Sequence, residues 1–173
     1  MLKQDFVNRT INDPTYPDDD MPWTSPALLV VRRIADRMRD GLDVNLHQTR
    51  TLELVSIEDS HDAKEFEGDP NDPRAHPPLF DRDVLAVLPF QVNATKFVIP
   101  FYVVTRDIRR DLPEEKFTVT IKGLSGKGAK LTAYDPMLDR RENVRILSTE
   151  DGMLKLELTA VDYPVLLEVE EAP

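Results

Sequence analysis

Residues 61–76, HDAKEFEGDPNDPRAH, set two histidines around five carboxylates and an asparagine. Imidazole and carboxylate groups ligate divalent cations and carry protons in general acid–base catalysis. With the aspartate just upstream, the stretch offers Asp59, His61, Glu65, Glu67, Asp69 and Asp72 as metal ligands. Glu65, Glu67 and Asp69 alternate around Gly68. Calcium loops also place oxygens at alternate positions around a glycine, so calcium is the cation this pattern suits. The competing reading is a polar surface excursion without a cofactor, in which Asp and Asn side chains bond their own backbone. Pro70 and Pro73 stiffen the stretch and favour that reading.

Other chemistry is thinner. The chain has no cysteine, which excludes disulfides, thiolate zinc sites, thiol nucleophiles and iron–sulfur clusters. Segment 123–128, GLSGKG, lacks the spacing of a phosphate loop and lies between two expected strands, where a hairpin connection is the expectation. Carboxylate pairs of the glycosidase kind are easy to draw among 32 acidic residues, and spacing selects none of them. Aromatic side chains offer a binding surface instead: Tyr16, Trp23 and Phe66 stand outside the apolar runs, and with His61 and His76 they are the ligand or interface candidates.

Net charge is −10, which argues against a nucleic-acid or anionic-membrane partner, since both need a basic patch. The basic cluster Arg32, Arg33, Arg37 and Arg39 is interleaved with Asp36 and Asp40 and reads as a solvated helix face. No apolar run approaches the ~20 residues of a membrane span, so a soluble protein is expected and the compartment stays open.

These side chains must be positioned by a small set of elements. Residues 1–23 hold a Pro-rich stretch expected to run as an extended arm. Residues 24–41 read as one amphipathic helix, with Thr24 or Ser25 as cap, Pro26 in the first turn and Gly41 as the left-handed stop. Its apolar stripe is Ala27, Leu28, Val31, Ile34, Ala35 and Met38, and it should pack on the sheet or on a partner. From residue 49 the hydrophobic period becomes two. Strands are expected at 49–58, 83–91, 96–105, 116–122, 129–134, 143–148, 153–159 and 164–169. Pro89 and Pro100 fall inside two of them, so at least one of those strands should be broken. About eight short strands with regular turns make the fold mainly β, an antiparallel β-sandwich over 49–173, with arm and helix (1–48) packed on it or on a partner.

Within the last third, residues 133–136 (AYDP), 151–156 (DGMLKL) and 162–169 (DYPVLLEV) stand out. Together with 95–106 they resemble the β-sandwich that closes some multidomain glycoside hydrolases, where a strand ending in YDP introduces a hairpin and a DYP strand ends the chain. Catalytic acids in such enzymes sit on a barrel domain. A barrel takes about 250 residues, more than the 173 here, so no catalytic residue carries over. The resemblance implies a non-catalytic accessory module whose partner is a catalytic domain or subunit. The alternatives are a carbohydrate-binding module that holds polysaccharide through exposed aromatics, and a small metal-binding protein or enzyme built on the 59–76 loop.

Overall fold

The computed structural model describes residues 26–59, 85–104, 114–150 and 152–172. Among the described residues there are one helix, α1 (Pro26–Arg39), and ten strands: β1 (Glu53–Asp59), β2 (Leu85–Val87), β3 (Phe90–Gln91), β4 (Lys96–Val103), β5 (Glu115–Lys122), β6 (Lys130–Asp135), β7 (Arg140–Asn143), β8 (Arg145–Glu150), β9 (Met153–Ala160) and β10 (Val165–Glu170). Four of them form one antiparallel sheet in the order β1-β5-β9-β8. The other six form the second sheet, in the order β2-β4-β10-β6-β7, with β3 continuing beside β4. The antiparallel β-sandwich expected from the sequence is therefore present, with ten strands in place of about eight.

One extra strand comes from an expected run that divides; the other, β7, is not among the expected strands, and only its last residue, Asn143, falls within one of them. The 83–91 run splits into β2 and β3 at Leu88-Pro89, while the other proline-containing run stays whole as β4. Pro100 sits mid-sheet opposite Leu166 of β10. Its carbonyl accepts the Leu88 N–H at 2.9 Å. In an antiparallel ladder the N side of a residue faces the same neighbour as its carbonyl. The missing donor of Pro100 is thus turned toward the interruption that Pro89 makes, and no ladder bond to β10 is lost. The 143–148 run divides at Val144, where the chain leaves the six-stranded sheet (Asn143 opposite Thr132) and enters the four-stranded one (Arg145 opposite Glu157). Segment 123–128 also crosses between sheets, from β5 to β6, so it is an arch and not the expected hairpin.

Burial separates the two sheets. In β9 buried and half-buried residues alternate strictly, and β5 follows the same pattern, as strands with one face in the core must. In β4 five consecutive residues, Phe97 to Phe101, are buried. The inner face of this sheet gives Phe97, Ile99, Phe101 and Leu167 to a core shared with Phe117, Val119, Leu154 and Leu156 of the opposite sheet. Its outer face carries Val98, Tyr134 and Leu166, on which Ile34 and Met38 of α1 pack. The helix is the third layer, and it explains why β4 and β10 read as apolar runs without alternation.

The helix docks on a partly different side from the one expected. Val31 is 58% exposed. Arg33 and Arg37, read from sequence as solvated, have side chains only 29% exposed and lie on the sheet side. The Arg37 guanidinium stands 4.4 Å from the Tyr134 ring centroid and pairs with Glu168 at 3.7 Å. Arg33 donates to the Pro136 carbonyl at 2.8 Å and pairs with Asp139 at 3.3 Å. A tyrosine face, a glutamate and free turn carbonyls on the sheet are what draw two arginines inward. Gly41 follows with φ +79° and closes the helix as expected.

Candidate functional site

Most residues singled out by sequence lie outside the described residues: Tyr16, Trp23, His61, Glu65, Phe66, Glu67, Asp69, Asp72 and His76. Asp59 alone is placed, as the last residue of β1 opposite Phe117. Among the described residues no three His, Cys, Asp or Glu side chains gather as a cation would require. The helix caps Thr24 and Ser25 also lie outside the described residues.

What the structure brings together is the end of the sandwich where β6, β9 and the start of β10 meet. Here the YDP and DYP motifs converge, although 28 residues separate them: the Tyr163 hydroxyl donates to Asp135 Oδ2 at 3.0 Å. Asp135 Oδ1 accepts the N–H groups of Met137 (2.8 Å) and Leu138 (3.0 Å), an Asx turn that starts the β6–β7 hairpin. Burial first, then the Asp135 hydrogen bond and charge, push the Tyr163 hydroxyl up to about 12. On the far side of the hairpin Tyr134 donates to Asp139 Oδ1 at 2.7 Å. Asp139 takes φ +53°, a conformation that aspartate tolerates better than most residues. Burial and that bond raise the Tyr134 hydroxyl as well.

Beside the Asp135–Tyr163 contact the two sheets part and leave a cleft of about 150 Å³. Its floor is apolar, made by Ala133, Val144, Leu158 and Val165. Polar residues of both sheets also line it, Glu142 and Asn143 of β7 and Glu157 and Thr159 of β9. Arg140 pairs with Glu142 at 2.7 Å. Glu157 is flanked by Lys116 at 3.7 Å and Arg145 at 3.8 Å. β8 pairs with β9 only as far as Arg145 opposite Glu157. Beyond that point, among the described residues, no strand covers the β8 side of Leu158 and Thr159, which line the cleft instead.

The opposite end of β10 is built differently. Glu171, 7% exposed, receives Arg50 through an ion pair and the Ser125 N–H at 2.8 Å. Arg50 also donates to the carbonyls of Gly123 (3.2 Å) and Ala94 (3.3 Å), and its guanidinium lies 5.2 Å from the Phe97 ring centroid. Burial opposes ionisation of Glu171, but the Arg50 and Ser125 contacts outweigh it and hold the carboxyl below its ordinary range.

Sequence reasoning found the residues of the open end as turn signals and missed that they touch. The signal lay in the two quoted motifs; their contact is a tertiary fact. No protein-family model matches the chain, and neither does any curated protein or solved structure.

Proposed function

We propose that this chain is a non-catalytic β-sandwich module of a carbohydrate-active enzyme, stabilising or positioning a catalytic partner domain. The observation that carries the reading is the Tyr163–Asp135 hydrogen bond, through which the two motifs behind the glycoside-hydrolase resemblance hold a single hairpin. Asp135 accepts two backbone N–H groups and the tyrosine hydroxyl, so its carboxylate is spent on shape and is poorly suited to proton transfer. Tyr163, pushed up to about 12, stays protonated near neutrality and serves as a structural donor.

Two measurements test this. The purified chain should not hydrolyse a panel of chromogenic glycosides. Where a glycoside-hydrolase barrel is encoded next to it, the two co-expressed should co-purify in a fixed ratio and the chain should raise the barrel's melting temperature, as a ligand of the native state must. Turnover by the chain alone would overturn the non-catalytic half of the reading. A barrel that melts and elutes unchanged would overturn the partner half.

A further inference from the structure

We infer that β8 is a self-association edge, through which two copies of this chain pair antiparallel about a two-fold axis and join their four-stranded sheets into one continuous sheet. This stands apart from the module reading, because it needs only a second copy of the chain and no catalytic partner.

β8 ends its sheet, and among the described residues nothing pairs with its outward side. Its residues are exposed or half-buried throughout, and Ile146 and Leu147 are each 41% exposed. Such an edge offers a row of unpaired backbone N–H and C=O groups, commonly blunted by lysine, proline or a bulge. β8 has no lysine and no proline, only a bulge at Leu147. Ile146 and Thr149 stand opposite Leu156 and Leu154 and so face the core. A side chain on Gly126, in the β5–β6 arch, would meet the Thr149 methyl at 3.0 Å, which places Thr149 on the same inner face. Arg145, Ser148 and Glu150 stand opposite Glu157, Lys155 and Met153 and face outward. In a regular strand residues five apart lie on opposite faces. The extra residue of the bulge puts Arg145 and Glu150 on one face.

Faces and charge then select the register. Directly opposite residues of an antiparallel pair share a face, and a slip of one residue sets inward side chains against outward ones. The register that matches faces puts Arg145 opposite Glu150 of the second copy, Ile146 opposite its Thr149 and Leu147 opposite its Ser148. The two bulges fall side by side and keep the strands in step. Arg145 pairs with Glu157 of its own chain at 3.8 Å, but its side chain is 73% exposed and has N–H donors for both carboxylates. The other end of the sheet, β1, supplies the contrast. It carries the same bulge, between Leu54 and Ser56, with Leu54 and Ile57 opposite the buried Ile121 and Val119. Paired with itself in the equivalent register, β1 sets Glu53 against Glu58 at both ends. β1 on β8 sets Glu58 against Arg145 but Glu53 against Glu150. Of the three pairings only β8 on β8 attracts at both ends. It is also self-complementary and closes as a dimer, whereas β1 on β8 would propagate from copy to copy. An edge of 6 residues is small beside the ~800 Å² per partner of a standard interface, so the dimer should be weak, with a dissociation constant on the order of 100 μM.

The test is sedimentation velocity of the intact chain from micromolar to millimolar concentration, where a reversible monomer–dimer equilibrium is expected. Arg145→Glu sets acid against acid at both ends of the contact, and Glu150→Arg sets base against base. Each should weaken the dimer roughly tenfold. Mixed in equal amounts, the two variants should associate with each other about as tightly as the parent does with itself, since each end then joins opposite charges. That rescue also reports that both variants are folded. General charge repulsion predicts something else: the chain carries −10, so Glu150→Arg would strengthen any contact that overall charge governs. A chain that stays monomeric at millimolar concentration overturns the proposal. So does a dimer that survives both substitutions, a Glu150→Arg variant that associates more tightly than the parent, or a mixture of the two variants that stays monomeric. Partner co-purification is read independently of all these outcomes.

Discussion

The two ends of the sandwich share the same sheets and the same core, and they close in opposite ways. At the Glu171 end the polar contacts run between sheets: Arg50, ahead of β1, reaches a glutamate at the end of β10, and Ser125 in the β5–β6 arch bonds the same carboxylate. At the cleft end each polar contact stays within one sheet or its connections. Arg140 and Glu142 are both on β7, Lys116 and Arg145 reach Glu157 within the four-stranded sheet, and Tyr163 holds the adjoining hairpin. Charge placed across the gap seals it, whereas charge placed along each rim leaves it open. The lesson is that a similar inventory of Arg, Glu and Tyr yields a clasp or a cleft according to which sheet each partner rides on.

If the clasp carries the stability and the rim does not, substitutions should rank accordingly. Arg50→Ala leaves Glu171 buried with one backbone donor and should cost about 2–3 kcal/mol, after allowing for the partial exposure of the arginine. For a chain of this size that is a fall in melting temperature of roughly 8 °C. The pH dependence has a definite sign. A carboxyl held below its ordinary range stabilises the fold above that range and loses the effect as pH falls through its lowered folded value. Glu171→Gln should therefore be less stable than the parent near neutrality and converge with it in strong acid. Melts that stay parallel at every pH would mean that the carboxylate's charge is not what holds the clasp.

Gly123 supplies the next largest effect. It takes φ +97°, and a Cβ there would stand 2.8 Å from the Thr51 carbonyl oxygen, so Gly123→Ala should cost about 2 kcal/mol or more. Gly152, at φ +72° with nothing within 4 Å, is the control and should cost about half as much. Equal losses in chemical denaturation would show that the clasped end is not tightly packed. Tyr163→Phe should cost about 1 kcal/mol. It should also remove one late-ionising tyrosine from an alkaline spectrophotometric titration. Because the folded hydroxyl is raised to about 12, its contribution is whole below about pH 10 and fades as pH rises toward 12. Smallest is Arg140→Ala: the Arg140–Glu142 pair has both side chains 53% exposed and should be worth no more than about 0.5 kcal/mol. An Arg140 loss as large as that of Arg50 would abolish the contrast between the two ends.

Much of the fold is legible in the sequence, because a one-sided environment writes its period locally. Strand β9 reads MLKLELTA, and in the structure its alternate residues are buried as that pattern requires. Gly41 and Pro26 mark the ends of α1. The two proline-containing runs announce a break, and one of them breaks. The site is less legible. The 59–76 loop drew the eye by residue type and falls outside the described residues apart from the end of β1, while the cleft is built from residues that look like ordinary strand polars.

What the sequence by itself determined is therefore the kind of element at each position and the face it buries. Which sheet a strand joins was decided only in three dimensions. Residues 143–148 look like one strand, yet the chain changes sheets at Val144, and 123–128 looks like a hairpin although its flanking strands never pair. The inward turn of Arg33 and Arg37, the Arg50–Glu171 clasp and the Asp135–Tyr163 contact are of the same kind. The physical reason is common to all of them. Hydrophobic periodicity records how much of a residue leaves water, a local quantity, whereas a polar side chain or a strand edge is satisfied by whichever distant group the completed fold sets opposite it.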